Sequence, residues 1–249
     1  MPKTVLSQIQ QQIKSANLEL RDYSPAEMNW PKRALRSAEK LIPRLERTVK
    51  GLKTNVEDVL NASTKVRTLW TVIRDQVDLP QHEIQEFDRL LRLDDILRES
   101  VTGEVVSKVV TKYLMEHDSD LRSNGRSDYP DLYLASADYS GLPLFRRQQG
   151  ESREYGAAIK GVERRPVRVP DGIEIKTCRD SIRVDCHHPH AGLHLVVVFF
   201  ESKRTFTVTD IAIAFLATND YHEAGRNTTA TTVKYSFNGE RFISLLKTR

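Results

Sequence analysis

From the N-terminus to about residue 120 the apolar positions recur every three or four residues; beyond it they alternate or form short unbroken runs. The first pattern predicts helices, because 3.6 residues per turn gather such positions on one face, and the second predicts strands. Leu35, Ala38, Ile42, Leu45, Val49 and Leu52 make one helical stripe, inside which Pro43 falls. Proline lacks an N–H donor and crowds the preceding turn, so a kink or split is expected there. Val56, Val59, Val66, Trp70, Ile73 and Val77 make a second stripe, and the two are expected to pack together as a helical hairpin. Ser24-Pro25-Ala26-Glu27 has the form of a helix start, with a serine cap, proline at the first helical position and glutamate three residues after the cap. Leu79-Pro80 is expected to end this unit, and Ile84 to Leu97 to form a further helical segment. Val105, Val106, Val109, Val110, Tyr113 and Leu114 mark a helix from about Gly103 to His117.

After that helix, "SNGRSDYPDLYL" reads as a loop running into a strand. Asp171-Gly172 is a turn-former that leads into the alternating "IEIKTC"; Val167 to Val169, beyond Pro170, is the expected hairpin partner. A short strand is expected near Ile182 to Asp185. Leu193 to Phe200, apolar apart from His194, predicts a strand buried on both faces. Thr207-Val208-Thr209-Asp210 is read as the cap of a helix carrying Ile211, Phe215 and Leu216. Thr231, Val233, Tyr235 and Phe237 alternate, and Asn238-Gly239 is a turn signal before Phe242. The chain is therefore expected to be α/β, with a helical region over residues 1–100 and a strand-bearing domain over 101–249.

With 249 residues, of which 39% are hydrophobic, the chain can bury a substantial core. A net charge of +4 says little, but its distribution says more. Eight basic residues against two acids fall between Lys32 and Lys53, and seven against three between Gly141 and Pro170. Such patches suit a protein that grips a polyanion at two places, and they also suit solvated surfaces. The N-terminus lacks a charged-then-apolar signal pattern, and Leu193 to Phe200 is too short to cross a bilayer, so a soluble intracellular protein is expected. Cys178 and Cys186 are too few for a disulfide framework.

In the strand carrying "IEIK", Glu174 and Lys176 share one face, and Ile173 and Ile175 share the other. An ordinary charged edge strand has the same alternation. Upstream, however, stands Tyr129-Pro130-Asp131, and Glu174-Ile175-Lys176 follows with Glu174 placed 43 positions after Asp131. This arrangement resembles the PD-(D/E)XK nuclease superfamily, and within it most closely the type II restriction endonucleases. The resemblance spans roughly residues 103 to 215. It implies a restriction-endonuclease-like core, a central mixed sheet flanked by helices, to which the N-terminal helices are an addition. It also implies a Mg2+-dependent site-specific endonuclease that hydrolyses phosphodiester bonds of double-stranded DNA, acts as a homodimer in the cytoplasm of a prokaryotic cell and uses no nucleotide cofactor.

On this resemblance Asp131 and Glu174 would be metal ligands, and Lys176 would orient the attacking water and offset phosphate charge. Glu104 occupies the place of an additional ligand found on the preceding helix in many members; it is also a first-turn glutamate suited to the helix dipole and to pairing with Lys108. Asp128 and Asp171 are alternative first acids, Asp171 being the better explained by its turn. Cys178, on the Glu174 face, reads as a small wall residue. DNA contacts are expected from Arg146, Arg147, Arg164 and Arg165, and from Arg226 and Asn227, and the first basic patch would be a clamp or a dimer face. "CHHPHAGLH", Cys186 to His194, offers thiol and imidazole groups without the spacing of a paired-ligand zinc module, so a loop is the simpler reading. His190 or His194 would then contact a phosphate or orient an active-site group. A monomeric repair or nicking nuclease and a non-catalytic DNA-binding regulator are the alternative functions.

Overall fold

Thr4 caps the first helix, α1 (Val5–Ser15): its hydroxyl oxygen accepts from the Ser7 amide at 3.1 Å, and Val5, Ile9 and Ile13 below it are buried. The computed structural model describes residues 4–16, 30–76, 80–123, 130–136, 172–182, 185–186, 191–203, 205–217, 220–226, 233–237 and 239–247. The expected helix start at Ser24 and the strand expected at Val167 to Val169 lie outside these residues.

The first apolar stripe forms helix α2 (Trp30–Leu60), which buries Ala38, Ile42, Leu45, Val49 and Leu52 as the periodicity predicts. Pro43 does not split it. The proline sits on the exposed side, and the buried Leu41, Ile42 and Leu45 hold both halves against the same core. Helix α3 (Ala62–Gln76) follows with only Asn61 between them. One residue is too short to reverse the chain, so the second stripe cannot fold back on the first as expected. Val59 and Val66 remain 42% and 46% exposed. Trp70 instead stacks on Phe87 of helix α4 (Gln81–His117) with ring centroids 4.2 Å apart, and its indole N–H donates to Asp88 at 3.1 Å. Helix α4 unites the two helices expected on either side of Gly103, an interruption that costs only about 1 kcal/mol.

Among the described residues nine strands follow: β1 (Leu121–Ser123), β2 (Leu132–Leu134), β3 (Ile173–Arg179), β4 (Asp185–Cys186), β5 (Gly192–Ser202), β6 (Thr205–Leu216), β7 (Tyr221–Arg226), β8 (Val233–Phe237) and β9 (Ile243–Ser244). They form a mixed six-stranded sheet in the order β1-β2-β3-β5-β6-β9, in which β3 and β5 run parallel, and a smaller antiparallel sheet in the order β4-β8-β7. The protein is thus of the α/β class with a central mixed sheet. Residues 207–216, expected as a helix, belong to β6. Thr205, Thr207, Val208, Thr209, Ile211 and Ile213 are β-branched, and pairing with β5 from Gly192↔Leu216 to Ser202↔Thr205 overrides the capping signal. Register shifts at Val198/Phe199, and the Thr209 hydroxyl donates to the Val198 carbonyl at 3.2 Å.

The two faces of the sheet differ in partner. Ile173, Ile175, Leu193, Leu195, Val197, Ile211, Ile213 and Phe215 join α1, α2 and α4 in one apolar core. Cys178, Val196, Val198, Ala214 and Leu216 face the other way and pack with Phe237, Tyr221 and Ile182 beside the smaller sheet. Strand β5 is buried on both faces from Gly192 to Phe199, as its apolar run predicts, although Phe200, the last residue of that run, is 48% exposed. Among the described residues, no helix is long and apolar enough to cross a membrane.

The outer edge of β6 pairs with β9 only at Ala212 and Ile213. Beyond that pairing the Leu245 amide donates to the Ile211 carbonyl at 2.8 Å, and further along the edge side chains from the N-terminal helices take over. Asn61 donates to the Phe206 carbonyl and accepts from its amide, both at 2.8 Å; Glu57 accepts from the Val208 amide at 2.8 Å; and Gln12 accepts from the Phe215 amide at 2.8 Å. Replacing Asn61 by alanine leaves both Phe206 groups without this partner. A loss of about 1–3 kcal/mol is expected, read as a lower urea midpoint, and an unmoved midpoint would refute the assignment.

Candidate active site

Site geometry begins with a close approach between two chain segments. Gly172 lies against the Pro130 turn, where an added Cβ would come within 2.2 Å of Pro130 Cγ and 2.7 Å of the Leu132 carbonyl oxygen. Only glycine fits there. Leu132 is the register partner of Ile173, so this contact sets Asp131 beside the start of β3. Asp131 Oδ2 accepts from the Ile175 amide at 2.7 Å. Strand alternation then turns Glu174 and Lys176 away from the helices, and Nζ of Lys176 donates to Oε1 of Glu174 at 2.6 Å. The structure brings these three predicted residues together.

Their environment is dry and electrostatically uneven. Glu174 is only 7% exposed, and its Oε2 is buried with no hydrogen-bond partner among the described residues. Burial, reinforced by the Glu174 charge, pushes the Asp131 carboxyl up to about 7, although the Ile175 amide and the Lys176 charge pull the other way. Two carboxyl groups thus share one cation, Lys176, and one oxygen has nothing to bond. An arrangement of this kind suits a further positive charge. Hard divalent cations take oxygen ligands, and Mg2+ in particular is held by one or two carboxylates with waters and phosphate completing its shell, so Asp131 and Glu174 fit as its protein ligands.

One residue held only as an option in the sequence adjoins this pair. His194 is the register partner of Glu174 across the parallel β3–β5 ladder, is 1% exposed and faces the same side. Its Nδ1 lies 2.9 Å from the Gly192 carbonyl oxygen and its Nε2 3.0 Å from the Tyr221 hydroxyl. Burial, with the Lys176 charge adding to it and the Gly192 bond opposing it, pushes its pKa down to about 3, so the ring is neutral. The available signal for His194 was that it is the one polar residue in the run from Leu193 to Phe200. Tyr221 carried none, because β7 has the composition of a surface loop.

Of the other site candidates, Glu104 lies on α4, but its side chain is outside the described residues, as is that of Arg226 at the end of β7. Asp128, Arg146, Arg147, Arg164, Arg165, Asp171, Asn227 and the histidines at 187, 188 and 190 also lie outside them. Cys178 is buried on the Glu174 face, 3% exposed, within the apolar cluster there. Among the described residues no group of three or more His, Cys, Asp or Glu side chains could hold a metal ion. The Asp131–Glu174 pair would therefore rely on water and substrate oxygens for the rest of a coordination shell.

The first basic patch lies on α2, on the opposite side of the sheet from Glu174, and part of it is internally engaged. Arg44 donates to both Asp118 oxygens at 2.9 and 3.1 Å and to Asp120 at 3.3 Å, and Lys40 donates to the Ser136 hydroxyl at 3.0 Å. Lys53 pairs with Glu57. Burial works against the Asp120 carboxylate, yet hydrogen bonds from Ser136 and Arg44 hold its pKa below the usual range. The network fixes the end of β2, which follows Asp131. A cleft of about 280 Å³ beside Arg44 and His117, and another of about 550 Å³ beside Lys50 and Leu246, are lined by none of Asp131, Glu174 and Lys176. No protein-family model, no curated protein and no solved structure matches the chain.

Proposed function

We propose that this chain is a Mg2+-dependent site-specific endonuclease that hydrolyses phosphodiester bonds of double-stranded DNA, built on a restriction-endonuclease-like core. The observation that carries the reading is the buried Oε2 of Glu174, without a hydrogen-bond partner among the described residues, beside an Asp131 that resists ionisation, with Lys176 on the same wall. A structural ion pair has no use for the third group or for the unpaired oxygen; a cation-assisted hydrolase needs both. Mg2+ bound there supplies Lewis-acid stabilisation of the charge that develops on the phosphate.

The protein groups divide the remaining work. Asp131 is oriented by the Ile175 amide, which fixes one of its oxygens and thereby the direction of the other. Glu174 Oε1 anchors the Lys176 ammonium, which would thereby be held where it can orient the attacking water and offset phosphate charge. Ile173 and Ile175 pack in the helical core, and their burial keeps the strand from shifting as charge builds on its other face. A homodimer that matches the two-fold symmetry of a palindromic site would cut both strands.

The test is incubation of purified protein with unmethylated phage DNA, with Mg2+ or with EDTA, beside Lys176→Ala. Discrete Mg2+-dependent fragments are expected from the native chain, with a rate loss of at least about 10²-fold in the variant. Intact DNA that is nonetheless retarded on a gel would overturn the reading and favour a DNA-binding regulator.

A further inference from the structure

We propose that the Gly192–His194–Tyr221 hydrogen-bond chain is a lock that holds the His194 imidazole off Glu174, so that Oε2 stays open to a cation; this rests on the metal reading of Asp131 and Glu174. Glu174 and His194 are direct register partners on one face of adjacent strands. Such strands are about 4.8 Å apart, which puts the carboxylate within reach of a rotated imidazole. An N–H donated to Oε2 would satisfy the oxygen internally and oppose a cation. The ring is turned elsewhere.

The partners fix which nitrogen carries the proton. A carbonyl oxygen can only accept, so Nδ1, at 2.9 Å from the Gly192 oxygen, is the donor. Nε2 therefore holds a lone pair, and the Tyr221 hydroxyl donates to it at 3.0 Å. Both nitrogens are engaged away from Glu174. Gly192 has φ 145, a conformation that side-chain-bearing residues rarely adopt, which sets its carbonyl two residues back toward the ring. Tyr221 and Phe237 flank the imidazole with centroids 6.3 and 6.1 Å away, at interplanar angles of 65° and 59°, and hold its plane. The Gly192 carbonyl, the Tyr221 hydroxyl and the flanking rings therefore all bear on one side chain, and Glu174 Oε2, its neighbour, has no donor among the described residues.

The experiment uses the full metal-free chain and Mn2+ alone as the probe, titrated calorimetrically, so that it needs no DNA and no turnover. Tyr221→Phe keeps the edge-on ring contact but removes the hydroxyl that holds Nε2, and Mn2+ affinity is expected to fall about tenfold or more. In the double variant Tyr221→Phe/His194→Leu the competing imidazole is gone, and affinity is expected to return to the wild-type value; a packing role alone would make the double variant worse than the single one. Nitrogen-15 NMR of the wild type is expected to show His194 protonated at Nδ1, a readout that requires no variant to fold. Unchanged affinity in Tyr221→Phe, no recovery in the double variant, or a proton on Nε2 would each overturn the lock while leaving the metal reading intact. A wild type that takes up no Mn2+ would overturn both.

Discussion

Exchange of Asp131 for asparagine is expected to lower Mg2+-dependent DNA cleavage by about 10³-fold or more while making the metal-free protein more stable at and above pH 7. Both effects have one origin. The Asp131 carboxyl titrates near 7 rather than 3.8 because burial and the neighbouring Glu174 charge disfavour its ionised form. Well below the unfolded value of 3.8 the group is protonated whether the chain is folded or not, and no penalty arises. As pH rises toward 7, the unfolded chain ionises freely and the folded chain resists, so folding stability is lost across this window, by at most about 4 kcal/mol for a displacement of three pH units. Asparagine carries no charge, and the variant should lose this slope. Urea midpoints of the two proteins from pH 4 to 8, without metal, measure it directly. Added Mg2+ should restore the wild type above pH 7 and do nothing for the variant. Equal slopes in the two proteins would mean that Asp131 is an ordinary solvated carboxylate.

Gly172→Ala is expected to produce the next largest effect, through position rather than charge. The new methyl would meet Pro130 at 2.2 Å and the Leu132 carbonyl at 2.7 Å, and neither is a flexible side-chain end that can swing aside. The Pro130-Asp131 segment must back away from β3, which lengthens the 2.7 Å bond from the Ile175 amide to Asp131. A stability loss of about 1–3 kcal/mol is expected from overpacking, with a cleavage loss near 10²-fold because displacements of an ångström misplace a ligand. Thermal unfolding and initial cleavage rates, each with and without Mg2+, test the two halves. A variant that melts and cuts like the wild type would show that the turn yields at no cost.

Much of this was legible in the chain. Glu174, Lys176 and Asp131 come together because alternation and a close turn are local properties, and the apolar run at Leu193 marks a strand buried on both faces. Strand β6 runs against its local signal, because Thr-x-x-Asp is a helix-start signal of short range and eleven residue pairs with β5 outweigh it. The hairpin of the two apolar stripes failed for a similar reason: periodicity places a stripe on a face but does not say which element covers it. His194 and Tyr221 belong together only through β5 and β7, which lie in different sheets, and no spacing along the chain encodes that meeting.

The capping of β6 has a consequence for the order of events during synthesis. Gln12, Glu57 and Asn61 leave the ribosome long before Phe206, Val208 and Phe215, the residues whose backbone groups they satisfy. Domains generally assemble from the N-terminal end as the chain emerges, and a newly made apolar hairpin with an open edge is a template for strand addition by another nascent chain. When the β5–β6 hairpin emerges, the groups that close its outer edge have therefore already been made, and the N-terminal helices serve the strand as a built-in chaperone.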